Sequence, residues 1–134
     1  MEKIIIEVSH SGKNFCAYTM SLPGCIATGK TFEELKDMIS NGILFHIEGM
    51  QKDNDAIPVE FSGEWELVYK LSAEALINAY SGIFTKAALS RITGINERQL
   101  WHYAAGIRKP RLAQVKKIEN GLHKLGGELL SVIL

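Results

Sequence analysis

"LSRITGINERQLWHYAAGIRKPR", residues 89–111, decides how this chain is read. An apolar, helix-spaced segment stops at Gly94, resumes behind Asn96 and runs into a basic loop ended by Pro110. Glycine adopts the left-handed conformation that a tight helix-ending turn requires, and proline prevents a helix from continuing. Thr85 caps a first helix from Lys86 to about Thr93, with Ala88, Leu89 and Ile92 inward, and Asn96 with Gln99 supplies cap and partner for the next. Two short helices joined by such a turn form a helix-turn-helix, whose second helix enters the DNA major groove.

The faces of that second helix follow from a rotation of about 100° per residue. With Leu100 inward, Ala104 lies beside it and Tyr103 on the flank. Arg98 and His102 fall nearly opposite, with Glu97 and Trp101 to one side. The expected base-facing set is therefore Glu97, Arg98, Trp101 and His102: a guanidinium forms paired hydrogen bonds to a guanine edge, and its neighbours reach adjacent bases. The flank position of Trp101 also suits packing. Lys86, Asn96, Arg108, Lys109 and Arg111 are the expected phosphate set, which fixes register rather than sequence. A plain helical packing module would account for the inward residues and leave the clustered arginines unexplained.

Charge divides in the same place. Met1 to Leu71 holds six lysines and no arginine against eleven carboxylates, a net −5; Ser72 onward holds nine lysines and arginines against four carboxylates, a net +5. Such a split implies an acidic module for a cationic partner and a basic module for an anionic one. At 134 residues and 46% hydrophobic content, the chain is long enough for one modest core or two small ones. No apolar run of about 18 residues is present to span a bilayer, and "MEKIIIEVSHSG" lacks the cleavage pattern of a secretory signal, so a cytoplasmic protein is expected.

The first half reads as β-β-β-α-β. "KIIIEVSH" and "FCAYTM" flank the turn "SGKN", "CIATGK" gives a third strand, and "EWELVYKL" alternates as a fourth. Between the last two, Thr31 and Glu34 form a capping box, and Leu35, Met38, Ile39, Gly42, Ile43 and His46 recur at helical spacing to about Gly49. In the second half, Ser72 caps a helix bearing Leu76, Ile77 and Tyr80, and Leu112, Val115, Ile118, Leu122 and Leu125 carry the last helix. "GGELLSVIL" closes the chain as a candidate strand. The expected fold class is α+β, with domains at residues 1–71 and 72–134.

Neither catalysis nor a metal centre is expected. Two-metal nuclease chemistry needs several converging carboxylates, whereas Glu7 and Asp37 stand alone. Cys16, Cys25, His10 and His46 lack the close ligand pairs of structural zinc sites, and both cysteines read as free core thiols. No cofactor is implied.

Two resemblances carry the reading further. "FTKAALSRITGINERQLWHYAAGIRKP" resembles the Cro/repressor helix-turn-helix: Lys86 stands where glutamine is frequent, Leu89, Gly94, Ile95, Leu100, Gly106 and Pro110 match, and Ser90 and Ala104 depart from the usual alanine and glutamate. "FCAYTMSLPGCIATGKTFEEL" resembles the signature of HicB-type antitoxin domains, with Leu22, Pro23, Gly24, Cys25, Gly29, Thr31, Glu33 and Glu34 in place. The resemblance implies a partial RNase H-like domain that holds a small, basic, mRNA-cleaving HicA-type toxin. It further implies a bacterial autorepressor that binds its own operator, with nucleoid association when on DNA. A stand-alone repressor with a ligand-sensing or oligomerising first half is the alternative. Acidic candidates for the toxin surface are Glu33, Glu34, Asp37, Glu48, Asp53 and Asp55.

One recognition helix reads only a half-site, so a homodimer or higher homo-oligomer is expected on double-stranded operator DNA. Leu129, Leu130, Val132, Ile133 and Leu134 are the candidate dimerisation residues, as a terminal strand pairing with its symmetry mate. An extra strand or helical turn packed on its own domain is the other reading.

Overall fold

The computed structural model describes all 134 residues, Met1–Leu134, and the protein is α+β with one four-stranded mixed sheet and five α-helices. The chain divides into two compact units, Met1–Ala75 and Leu76–Leu134.

In the first unit, β1 (Glu2–Ser11), β2 (Asn14–Tyr18) and β3 (Ile26–Gly29) precede helix α1 (Phe32–Lys52), and β4 (Trp65–Leu71) follows a short 3-10 turn at Val59–Phe61. The strands lie in the order β3-β2-β1-β4. Gly12, at φ 62°, makes the tight reversal that pairs β1 with β2 antiparallel, with Val8 opposite Ala17 and His10 opposite Phe15. β4 pairs with β1 in parallel. Parallel neighbours need a long crossover, and α1 is part of it.

Period-two alternation then separates the sheet faces. Ile4, Ile6, Val8, Phe15, Ala17 and Ala27 are buried on one face beneath the α1 stripe of Phe32, Leu35, Ile39, Ile43 and Ile47. Phe32 packs edge-on to Tyr69 at 5.6 Å between ring centroids. The helix starts where its capping residues lie: Thr31 Oγ1 accepts from the Glu34 amide at 3.1 Å, and Glu34 accepts from the Lys30 amide at 3.0 Å. It continues past the expected end at Gly49 to Lys52, because the left-handed residue that follows is Asn54, at φ 56°. The other sheet face is open, with Ile5, Tyr18, Ile26 and Val68 all exposed.

α2 (Ala73–Ala79) begins behind Ser72, whose hydroxyl accepts from the Ala75 amide at 3.1 Å. The division between units falls within this helix. The second unit continues with α3 (Lys86–Thr93), α4 (Glu97–Ala104) and α5 (Leu112–Leu130) around Ile77, Leu89, Ile95, Leu100, Tyr103 and Ile118. Asn78 Nδ2 donates to the Ala104 carbonyl at 2.9 Å, which satisfies the end of α4. Gly121 lets α5 close on α3, since a β-carbon there would run into the Ile92 carbonyl.

The terminal strand is not formed. α5 runs through "GGELL" to Leu130, and residues 131–134 follow without regular structure. The Leu122, Leu125, Leu129 spacing continues the helical phase across Gly126 and Gly127, and no strand exists in this unit to offer an edge. The expected inner stripe of α5 is also too long: Ile118 alone is buried, while Leu112 and Val115 are exposed. Met38 on α1 and Tyr80 after α2 likewise lie at the surface rather than in the core. No helix of the chain is long and apolar enough to cross a membrane.

Two of the three glycines of α5, Gly121 and Gly127, should respond oppositely to alanine. Gly121→Ala is expected to destabilise the second unit by about 1–3 kcal/mol through overpacking. Gly127→Ala, with open space around it, should be neutral or stabilising by up to about 1 kcal/mol. Urea titrations followed at Trp101, which lies in that unit, measure both.

Candidate nucleic-acid interface

The reversal between α3 and α4 is held by three short-range devices. Gly94 adopts φ 76° and donates its amide to the Ser90 carbonyl at 2.9 Å. The buried Thr93 hydroxyl donates to the Leu89 carbonyl at 2.6 Å and accepts from the Ile95 amide at 3.2 Å. Asn96 Oδ1 accepts from the Gln99 amide at 2.8 Å, so the carbonyl side of that carboxamide is already engaged as the α4 cap. Of the expected phosphate set, Asn96 thus has a local structural role, with its amide nitrogen left over.

With α4 anchored inward by Leu100 and Tyr103, its other side is presented outward. Glu97 and Arg98 are exposed, Trp101 is 61% exposed, and His102 is half-buried. None of the four arginines, Arg91, Arg98, Arg108 or Arg111, forms an ion pair with a carboxylate. The Lys86 ammonium, at the start of α3, sits 4.8 Å from the centroid of the Trp101 ring. The indole is therefore shared between two duties: it lies on the exposed side of α4 and it orients the cation on α3. Sequence spacing did not reveal this pair, because the residues are 15 apart and meet only when the helices pack.

Beyond α4 the chain turns through Gly106, at φ 73°. The amides of Ile107 and Arg108 both donate to the His102 carbonyl, at 3.0 and 3.3 Å, which fixes the root of the basic loop on the end of α4. Arg108, Lys109 and Arg111 are all exposed from it. Lys86, Arg98 and this loop belong to one unit in which Leu76–Leu134 carries nine lysines and arginines against three glutamates.

The acidic candidates of the first unit are not equivalent. Glu33 pairs with Lys36 at 2.7 Å, and Glu34 is engaged in the cap of α1. Asp37 and Glu48 lie free on the outer side of α1, Asp53 ends that helix, and Asp55 is exposed in the loop after it. The sequence reading did not single out the exposed apolar side chains on the same helix, Phe45, at 80% exposure, and Leu44, and it placed the third, Met38, in the inward stripe. The signal for Leu44 and Phe45 was present, since both fall off the Leu35, Ile39, Ile43 phase.

No three histidine, cysteine, aspartate or glutamate side chains converge on a point. Cys16 and Cys25 are free, and burial pushes the Cys25 thiol up. His10 meets Glu74 at 3.2 Å and stacks edge-on against Phe15. The candidate dimerisation residues lie at the end of α5, Leu129 and Leu130, and beyond it, Val132, Ile133 and Leu134. All are exposed, Ile133 at 92%. No protein-family model matches this chain, and no curated protein matches it in sequence.

The Lys86 and Trp101 pair is directly measurable. Lys86→Gln should change the indole emission and cost about 0.5–1 kcal/mol in the second unit, the scale of an exposed cation–π contact. Lys117→Gln, which removes the same charge from the exposed side of α5, should leave the emission as it was.

Proposed function

We propose that the chain is an antitoxin and autorepressor: its second unit binds operator DNA through a helix-turn-helix made by α3 and α4, and its first unit, a partial RNase H-like domain, neutralises a basic HicA-type toxin. The observation that carries the DNA half is Arg98, exposed on the outward side of a rigidly capped helix and unpaired with any carboxylate. An exposed arginine there supplies two parallel donors at major-groove depth, matched to the O6 and N7 acceptors of guanine. Lys86, Arg108, Lys109 and Arg111 supply phosphate neutralisation with its steep salt dependence.

A palindromic operator calls for two copies. The exposed leucines, valine and isoleucine from Leu129 onward supply apolar surface for a second copy of this chain. With no terminal strand, that association uses the end of α5 and the tail after it rather than backbone pairing.

The toxin half is supported by α1, on which Asp37, Glu48 and Phe45 are all exposed. Carboxylates of this kind steer a cationic protein, and an exposed aromatic that becomes buried on binding gives a complex its lifetime. Covering a cationic RNA-binding surface would deprive a ribonuclease of its substrate without any chemistry by the antitoxin.

Mobility-shift titrations on duplex from upstream of the reading frame test the first half. Arg98→Ala should cost about 1–3 kcal/mol on cognate DNA and relax discrimination against scrambled duplex. Lys109→Ala should weaken both alike and lower the salt slope by about one. Identical behaviour of the two variants would sink the assigned roles. Co-expression with the adjacent reading frame tests the second half. A toxic, co-purifying basic protein is expected, and Phe45→Ala should weaken its capture by about 2 kcal/mol or more, as for a central aromatic anchor.

A further inference from the structure

Between α4, the basic loop and the first turn of α5 lies a partly open cavity of about 390 Å3, walled by Gln99, Tyr103, Arg108, Lys109, Arg111 and Gln114. Tyr103 is only 3% exposed, yet its hydroxyl takes part in no hydrogen bond within the chain. Every fully buried side-chain nitrogen and oxygen of the protein has a partner. An unpartnered hydroxyl on so buried a residue therefore keeps some access to open space, and Tyr103 is among the residues that line this cavity.

Apart from Ala113, the rest of the wall is polar or cationic. Three cations face the cavity with no carboxylate among the lining residues, and none of the three is ion-paired elsewhere. α5 starts behind Arg111 without a side-chain cap, and since the Gln114 amide donates to the Arg111 carbonyl, the Leu112 and Ala113 amides are the ones left at the positive end of its dipole, beside the lining residues Arg111 and Ala113. Two guanidinium forks, an ammonium, two carboxamides and a phenol form a donor-rich enclosure with a charge suited to a dianion. Its volume falls in the range of small-molecule sites, larger than a bare phosphate needs.

We infer that this cavity binds a phosphate group, with the Tyr103 hydroxyl and the Arg108 and Arg111 guanidiniums as donors. The group belongs either to a small phosphorylated molecule or to a nucleic-acid backbone. Only the second source rests on the DNA-binding reading proposed above. In either case the neutral phenol adds direction to an otherwise purely electrostatic site, since it recognises an oxygen at one position rather than negative charge at large.

The test uses the full chain and two probes. Calorimetry with inorganic phosphate, and with a nucleoside 5′-monophosphate against the matching nucleoside, reads the free source; duplex titration at fixed salt reads the backbone source. Tyr103→Phe keeps the buried ring and removes the donor, Arg108→Gln removes a cation, and Lys117→Gln controls for overall charge. Saturable phosphate or nucleotide binding that falls about fivefold or more in Tyr103→Phe, and also in Arg108→Gln, but not in the control, establishes the free source. Silence toward both small probes, with duplex affinity reduced about fivefold in Tyr103→Phe irrespective of sequence and an unchanged melting temperature, establishes the backbone source. Tyr103→Phe indistinguishable from the unsubstituted chain in both arms overturns the site, and leaves the DNA reading standing if the duplex still binds. Phosphate binding without any duplex affinity would keep the site and remove the DNA reading instead.

Discussion

The reversal at Gly94 is the constraint on which the second unit depends. A residue with a β-carbon pays a steric penalty in the left-handed region, so glycine there lets α3 end and α4 begin within three residues. The turn alone would leave α4 free to rotate. Rotation is prevented because Thr93 ties the end of α3 to Ile95, Asn96 caps the first turn of α4, and Leu100 and Tyr103 lock its inner side. Once that phase is set, the exposure of Arg98 and the half-burial of His102 follow from helical geometry. The basic loop follows as well, because its root hangs from the His102 carbonyl.

The first unit rests on a different constraint, the parallel pairing of β4 with β1. That pairing places β1 in the interior of the sheet, and α1 covers one face only, so half of every strand's side chains are left facing outward. Gly29 marks how closely the helix approaches, since a β-carbon there would meet the Leu35 backbone at 2.8 Å. The consequence is a unit with two usable surfaces: the uncovered sheet face and the outer side of α1. Acidic side chains favour the latter for a cationic partner, since the open sheet face pairs Glu7 with Lys70 and so presents mixed charge.

Local chemistry made much of this legible in the sequence. Thr31, Thr85 and Asn96 each cap the helix they were expected to cap, and Gly94 stops α3 at Thr93, because a cap is a contact among neighbours and needs no tertiary knowledge. Alternation likewise located β4. What failed was whatever required knowing the neighbours. "ELLSVIL" is apolar enough for a strand, but its first three residues continue the helical phase of Leu122 and Leu125 and end α5 at Leu130. Leu112 and Val115 obey the helical spacing of Ile118, yet the core of the unit extends only far enough to bury Ile118. Of the site, the outward position of Arg98 was readable from rotation alone, whereas the seating of Lys86 on Trp101 and the cavity at Tyr103 arise from packing between elements. Rotation alone placed Tyr103 on the flank of the helix; packing buries it, and its unpartnered oxygen distinguishes it from an ordinary core residue.

Zero net charge is the least informative number about this chain. Twelve of its fifteen carboxylates lie in Met1–Ala75, while all four arginines lie in Leu76–Leu134. An exposed arginine costs little when left unpaired in water, so the absence of carboxylate partners says nothing about stability. It does bear on competition. A carboxylate placed beside Arg98 or Arg108 would have to be displaced by any incoming phosphate or guanine edge, at the cost of breaking a charge-assisted pair. Keeping twelve of the fifteen carboxylates in the other unit, with none of the remaining three, Glu97 included, in an ion pair with an arginine, reduces that cost locally, and at physiological ionic strength opposite charges more than about 8 Å apart are largely screened from each other. In the proposed function, a basic toxin on the first unit and an acidic duplex on the second can therefore be held by one neutral chain with little electrostatic penalty to either, provided that salt keeps the two fields local.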